Sequence, residues 1–351
     1  MAADASVDSR SSILQDRPDA SPAPSPASSP PLLLAGPTAV GKSKVALLLA
    51  EMFGGEIVSV DSMQVYRGLD IGTAKPSAEE RKRIPHHLVD VADLTQSFDA
   101  AQFVRLAHEA IAQIQARKRV PLLCGGTGLY FKAYLEGLGE APPADAALRA
   151  ELEATPMPEL LCELAKRDPA TFERIDRQNP RRVIRALEVI RLTGKPFSVQ
   201  RAAWSAEGGI RDAASAATLP ASRSPLPAPH FIGLVRSPEE LHARIHTRVD
   251  EMFRRGLVAE TEQLLKQGLA ENKTAMQALG YRQVVEYLRG ERSLSETIEL
   301  VKVRTRQYAK RQMTWFRRQL EVKWVQMGEK ETPATIAGRF AEELRPSGTR
   351  T

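Results

Sequence analysis

The chain has 351 residues, 42% hydrophobic and 26% charged, proportions that exclude a wholly disordered or collagen-like protein. Its 49 Lys and Arg against 43 Asp and Glu leave a net charge of +6, a modest lean toward a polyanionic partner. Two cysteines, Cys124 and Cys162, exclude a disulfide framework and a four-cysteine zinc site and fit a reducing cytosol, and no apolar run approaches the ~18 to 20 residues that cross a bilayer.

In chain order, residues 1–30 are rich in Ser, Pro and Ala and carry only isolated apolar residues, which predicts a disordered N-terminal extension. Asp4, Asp8, Asp16 and Asp19 there outnumber Arg10 and Arg17, unlike a transit peptide. Short apolar runs at 32–35, 57–60, 120–124 and 231–235 read as buried strands. They alternate with helical patterns, as in a parallel sheet covered by helices. Residues 142–200 change to helices without strands, and in the helix expected over 182–192, Val183, Ile184, Leu187 and Ile190 share one face. This block predicts a helical insertion domain. Residues 201–229 form a second low-complexity stretch, expected as a surface loop. Helices follow at about 238–267, 274–289 and 294–320, and 331–351 reads as a C-terminal tail. The expected fold class is α/β, a P-loop NTPase-like sheet built from 31–141 and 230–330.

The first strand runs into Gly36-Pro37-Thr38-Ala39-Val40-Gly41-Lys42-Ser43, the G-x-x-x-x-G-K-S pattern, and an amphipathic helix follows. Strand, loop and helix are the context in which successive backbone N–H groups cradle phosphate, Lys42 adds charge and the Ser43 hydroxyl can ligate Mg²⁺. The motif is nucleotide-binding, and ATP-binding, in general character, and does not say whose phosphates it holds. An ordinary P-loop NTPase adds an acidic residue at a neighbouring strand end. Here the 120–124 strand runs instead into Gly125-Gly126-Thr127-Gly128, and the acid that ends a strand is Asp61. Ligands of an open α/β sheet bind at its carboxyl edge, which makes Asp61 a candidate base beside a bound diphosphate. The plainer alternative for Asp61 is a turn cap.

These segments resemble the tRNA dimethylallyltransferases, also called isopentenyl-diphosphate:tRNA transferases. The likeness rests on GPTAVGKS (36–43), VDSMQVYRGLDIGTAKP (60–76), PHHLVD (85–90), GGTGLY (125–130), RRVIRALEV (181–189), TGKP (193–196), RVDEMFRRGL (248–257), ALGYR (278–282) and TRQYAKRQMTW (305–315), taken in order and spacing. The resemblance implies transfer of a dimethylallyl group from dimethylallyl diphosphate to the N6 amine of the adenosine just 3′ of the anticodon. The tRNAs would be those reading codons that begin with U, and Mg²⁺ would be the cofactor. It also implies Asp61 as the base, Thr127 beside the reacting adenosine and Arg248 assisting diphosphate departure. The plainer alternative for Arg248 is an i,i+4 partner on a charged helix with Arg244, Asp250 and Glu251. The tRNA contacts implied are Asp61, Ser62, Met63, Gln64, Thr127, Arg149, Arg181, Arg182, Val183, Ile184, Arg185, Gln277, Ala278, Leu279, Gly280, Tyr281 and Arg282. A monomer in the cytoplasm goes with this reading.

Two further features are weighed on residues alone. Lys302, Arg304, Arg306, Lys310, Arg311, Arg317 and Arg318, with Tyr308, Trp315 and Phe316 interleaved, are either a solvated face over a core seam or a contact to the tRNA backbone. His86 and His87 point in different directions and lack ligands at suitable spacing, which argues against zinc. The rivals to a prenyltransferase are a small-molecule or nucleotide kinase using the same loop and a non-catalytic RNA-binding protein.

Overall fold

The computed structural model describes residues 30–138, 142–200, 230–328 and 331–344. The segments 1–29, 201–229 and 345–351, expected as extension, loop and the end of the tail, lie outside the described residues.

Six strands form one parallel sheet in the order β3-β2-β4-β1-β5-β6. They are β1 (Leu32–Ala35), β2 (Gly55–Val60), β3 (His86–His87), β4 (Val120–Gly125), β5 (Phe231–Val235) and β6 (Lys323–Gln326). All six residues of β2 are buried, as continuous apolar runs are in a sheet covered on both faces. One face carries α1 (Lys42–Phe53), and the other carries α3 (Ala100–Ala116) and α4 (Gly128–Glu136), with α2 (Ala78–Arg83) before β3. Alternate residues of β1 divide between the two cores: Leu34 packs with the α1 side, Leu33 and Ala35 with the α3 and α4 side. Neighbouring strands β1 and β4 thus send their helices to opposite faces, which opens a crevice between their carboxyl ends.

The insertion comprises α5 (Ala146–Ala154), α6 (Met157–Arg167), α7 (Pro169–Arg174) and α8 (Pro180–Thr193). They enclose a core of their own from Leu152, Leu160, Leu164, Val183, Ile184, Ala186, Leu187 and Ile190. After β5 come α9 (Pro238–Arg254), α10 (Leu257–Leu265), a 3-10 turn (Ala275–Gln277), α11 (Tyr281–Leu288) and α12 (Leu294–Gln319).

The expected α/β class holds, with three differences in detail. The helix expected over 238–267 breaks at Gly256, and the one over 274–289 at Gly280. Both glycines have positive φ, 100° and 96°, which L side chains adopt only with strain. The short edge strands β3 and β6 give no apolar run long enough to mark them. Residues expected as tail instead form α13 (Pro333–Leu344), whose Ile336, Ala337 and Phe340 are buried with α1 and β5. The tail expectation failed because a short amphipathic helix after a polar stretch gives a weak period.

Candidate active site at the carboxyl edge of the sheet

The phosphate loop joins β1 to α1 and is held from within and without. Val40 is buried in the core on the α1 face, and Ala39 and Gly41 adopt φ of 64° and 110°. Lys42 Nζ lies 3.3 Å from the Pro37 carbonyl, and Ser43 is exposed on the first turn of α1. Two guanidinium groups reach the loop from outside: Arg236 Nε donates to the Val40 carbonyl at 2.9 Å and Arg244 Nε to the Ala39 carbonyl at 2.8 Å.

Asp61 follows β2 directly. Its Oδ1 accepts from the Met63 N–H at 2.8 Å and the Gln64 N–H at 3.3 Å, so the turn-cap role is real. Oδ2 accepts no hydrogen bond among the described residues, which leaves it open to a ligand. Thr127 follows β4; its N–H donates to the Val60 carbonyl at 3.2 Å and its Oγ1 accepts from the Ser62 N–H at 3.1 Å. These bonds hold the ends of β2 and β4 together and set Thr127 beside Asp61. The Gln64 amide donates to the Thr73 carbonyl at 3.2 Å and bonds the Ser59 hydroxyl at 2.9 Å, fixing the loop that follows.

Electrostatics tie the two halves together. Burial pushes the Lys42 ammonium down from its usual range, nearby Arg248 pushes it the same way, and Cys124 and Asp61 oppose this. Arg248, on α9, is also lowered by burial and raised by Asp61. Two partly desolvated cations thus share one carboxylate, an excess of positive charge that suits a diphosphate. Burial raises Cys124 to about 11, which keeps it a thiol. Burial, and then Asp61, raise the Tyr308 phenol.

Helix α12 lies across the crevice. Gln312 Oε1 accepts from the Thr38 N–H at 2.9 Å and its Nε2 donates to the Gly126 carbonyl at 2.8 Å, so one side chain links the loop to the glycine turn. The turn must be glycine because α12 is so near. A Cβ at Gly126 would sit 2.4 Å from Gln312 Nε2, and one at Gly128 only 2.1 Å from the Trp315 ring.

The residues expected at tRNA divide sharply. Arg182 and Arg282 are exposed, the latter paired with Glu286 at 3.0 Å. Arg149 and Arg185 both bond Glu188 Oε2, at 3.0 and 2.7 Å, and Glu188 is completely buried. Arg181 meets the Gln277 side chain and the Lys273 carbonyl, joining α8 to the 3-10 turn. Val183 and Ile184 are buried in the insertion core, and Ala278, Gly280 and Tyr281 are buried too. The side chains of Val183, Ile184, Ala278 and Tyr281 therefore pack inside the protein. Tyr281 donates its hydroxyl to Glu260 at 2.6 Å and accepts from the Gly72 N–H at 3.1 Å, a brace for the loop after Asp61. Leu279 is half-buried. Along α12, Lys302 is buried against Asp250 and Glu299, whereas Arg304, Lys310, Arg311, Arg317 and Arg318 are exposed. His87 Nε2 bonds buried Glu56 at 2.7 Å, a structural pairing.

Sequence reading missed Arg236, Gln312 and Glu188 as site or supporting residues and took Arg244 only as part of a charged helix. Arg236 ends a strand, as Asp61 does, which was an available signal; Gln312 lies 274 residues from Thr38 and has no local one. No cluster of three His, Cys, Asp or Glu side chains set for a metal occurs among the described residues. The exposed Ser43 hydroxyl makes no hydrogen bond among them. That sparse oxygen donor fits Mg²⁺, which usually takes most of its ligands from phosphate oxygens and water.

Residues 64–319 match the family model described as IPP transferase. The chain is 44% identical over 315 residues to a tRNA dimethylallyltransferase 2 of Geotalea uraniireducens, covering 89% of this chain and 96% of that one. Among solved structures, the full-length tRNA isopentenylpyrophosphate transferase of Bacillus halodurans is 38% identical with a TM-score of 0.61, over 89% of this chain and 96% of that one. A eukaryotic dimethylallyltransferase acting on tRNA is 28% identical with a TM-score of 0.70, over 92% and 82%. With the loop, Asp61 and Arg248 gathered at one sheet edge, the chain belongs to the IPP transferase family of tRNA dimethylallyltransferases.

Proposed function

We propose that this protein transfers a dimethylallyl group from dimethylallyl diphosphate to the N6 amine of the adenosine 3′-adjacent to the anticodon, in tRNAs that read codons beginning with U. The observation that carries the reading is Asp61, whose Oδ2 accepts no hydrogen bond among the described residues and whose charge acts on both Lys42 and Arg248, next to Thr127. The exocyclic amine of adenine is a weak nucleophile because its lone pair is delocalised into the ring. As the bond from N6 to C1 of the donor forms, the C1–O bond breaks and N6 must lose a proton, which Asp61 accepts. The departing diphosphate takes the electron pair and is met by Lys42, Arg248, the Gly41 N–H and the N–H groups at the start of α1. Ser43 would hold Mg²⁺ beside that diphosphate, where the ion neutralises growing negative charge. Thr127 orients the adenosine.

The reacting base must leave the anticodon-loop stack to reach this crevice. Arg182 and Arg282, with Arg149 and Arg185 held by Glu188, present guanidinium groups for the RNA around it. The protein acts as a monomer in the cytoplasm. Purified protein is incubated with unmodified tRNA, labelled dimethylallyl diphosphate and Mg²⁺, and the nucleosides are analysed. N6-dimethylallyladenosine is the expected product. Its absence, or ATP turnover without prenyl transfer, overturns the proposal in favour of a kinase.

A further inference from the structure

The phosphate loop contains two consecutive peptide groups whose carbonyls are tied down by arginines from other elements. Arg244 Nε, from α9, donates to the Ala39 carbonyl at 2.8 Å, and Arg236 Nε, just past β5, to the Val40 carbonyl at 2.9 Å. Arg236 is almost wholly buried and anchored by Glu240. Arg244 is exposed and makes no salt bridge among the described residues.

What these bonds oppose is visible in the backbone. Ala39 sits at φ 64°, a conformation that costs an L-residue with a Cβ energy and glycine almost none. The peptide group is planar and trans, so a carbonyl held outward aims the next N–H inward. Fixing the Ala39 carbonyl directs the Val40 N–H to the Pro37 carbonyl, which it meets at 3.4 Å. Fixing the Val40 carbonyl turns the Gly41 N–H into the hollow of the loop, where it meets no acceptor among the described residues.

We propose that Arg244 and Arg236 are positioning residues that hold the loop in its anion-receiving shape before substrate arrives, acting on the Ala39 and Val40 carbonyls rather than on the diphosphate. The inference deepens the proposed reaction, because it concerns how the donor's diphosphate is held. Arg244 does this by stabilising the strained Ala39 conformation.

The test is a double-mutant cycle of Arg244→Met and Ala39→Gly, read as affinity for inorganic diphosphate by calorimetry and as KM and kcat in prenyl transfer. Arg244→Met keeps the aliphatic stem and removes the guanidinium, at an exposed position where the fold does not depend on it. It should weaken diphosphate binding and raise the donor KM by about tenfold, with kcat changed far less. In the Ala39→Gly background the same replacement should cost under about threefold, since glycine takes the positive φ unaided. Equal losses in both backgrounds would mean that Arg244 acts by charge on the diphosphate, and overturn the inference. So would an unchanged affinity in Arg244→Met, or a wild-type protein that binds no diphosphate. Because diphosphate binding is measured without tRNA, failure of the prenyl-transfer reading leaves this outcome readable.

Discussion

Asp61 has two oxygens with separate tasks: Oδ1 caps the turn through the Met63 and Gln64 N–H groups, and Oδ2 is free. Asparagine can keep the cap and cannot take the proton. Asp61→Asn should therefore lower kcat roughly 10²- to 10⁴-fold in a prenyl-transfer assay while the melting temperature stays within about a degree or two. A large loss of stability instead would return Asp61 to a purely structural role. At this scale the sequence was legible in placement: Asp61, Thr127 and the loop all follow apolar runs that end at the carboxyl edge of the sheet. It does not separate facing directions within one motif. In RRVIRALEV, Arg181, Arg182 and Arg185 reach the surface while Val183 and Ile184 turn inward, because a helix changes face every residue or two.

Among the elements, α12 and the insertion make distinct demands. Gln312 satisfies both the Thr38 N–H and the Gly126 carbonyl from one amide. Gln312→Ala strands two partly buried polar groups and should cost about 1 to 3 kcal/mol in denaturant unfolding, with a raised donor KM. That pairing was illegible beforehand, since no local pattern relates residues so distant. In the insertion, Asp168 is almost wholly buried and accepts from the backbone and hydroxyls of Thr171 and Ser198, at 2.6 to 3.0 Å. Burial alone would raise its carboxyl, but those hydrogen bonds outweigh it and hold it below the ordinary range. A carboxyl depressed in the folded state stabilises above its unfolded value of about 4 and loses that contribution as pH falls through the folded one. Acid titration followed by hydrogen exchange should show α7 and the 196–200 segment loosening below about pH 4, and Asp168→Asn should remove most of that pH dependence.

At the scale of the whole molecule, α13 joins α1 in covering one face of the sheet. Phe340 is fully buried there, with Ile336 and Ala337 beside it. Phe340→Ala should lower stability by about 3 to 5 kcal/mol in a denaturant titration, a cost of core packing and not of a tail. No helix among the described residues is long and apolar enough to cross a membrane. The exposed cations of α12 add a salt-sensitive surface, so tRNA affinity should fall steeply between 50 and 200 mM salt in a filter-binding assay if they meet the RNA backbone. A nearly flat salt response would assign them to solvent. The α/β class was readable because parallel strands announce themselves as unbroken apolar runs. Edge strands as short as His86–His87 do not.

The long span between Thr38 and Gln312 also bears on how the protein is made. Chains grow at about 5 to 20 residues per second, so the 274 residues separating them take on the order of tens of seconds to synthesise. Throughout that interval the loop lacks the amide that joins it to the glycine turn. The cradle that joins the loop to the glycine turn is thereby completed only once α12 has been made.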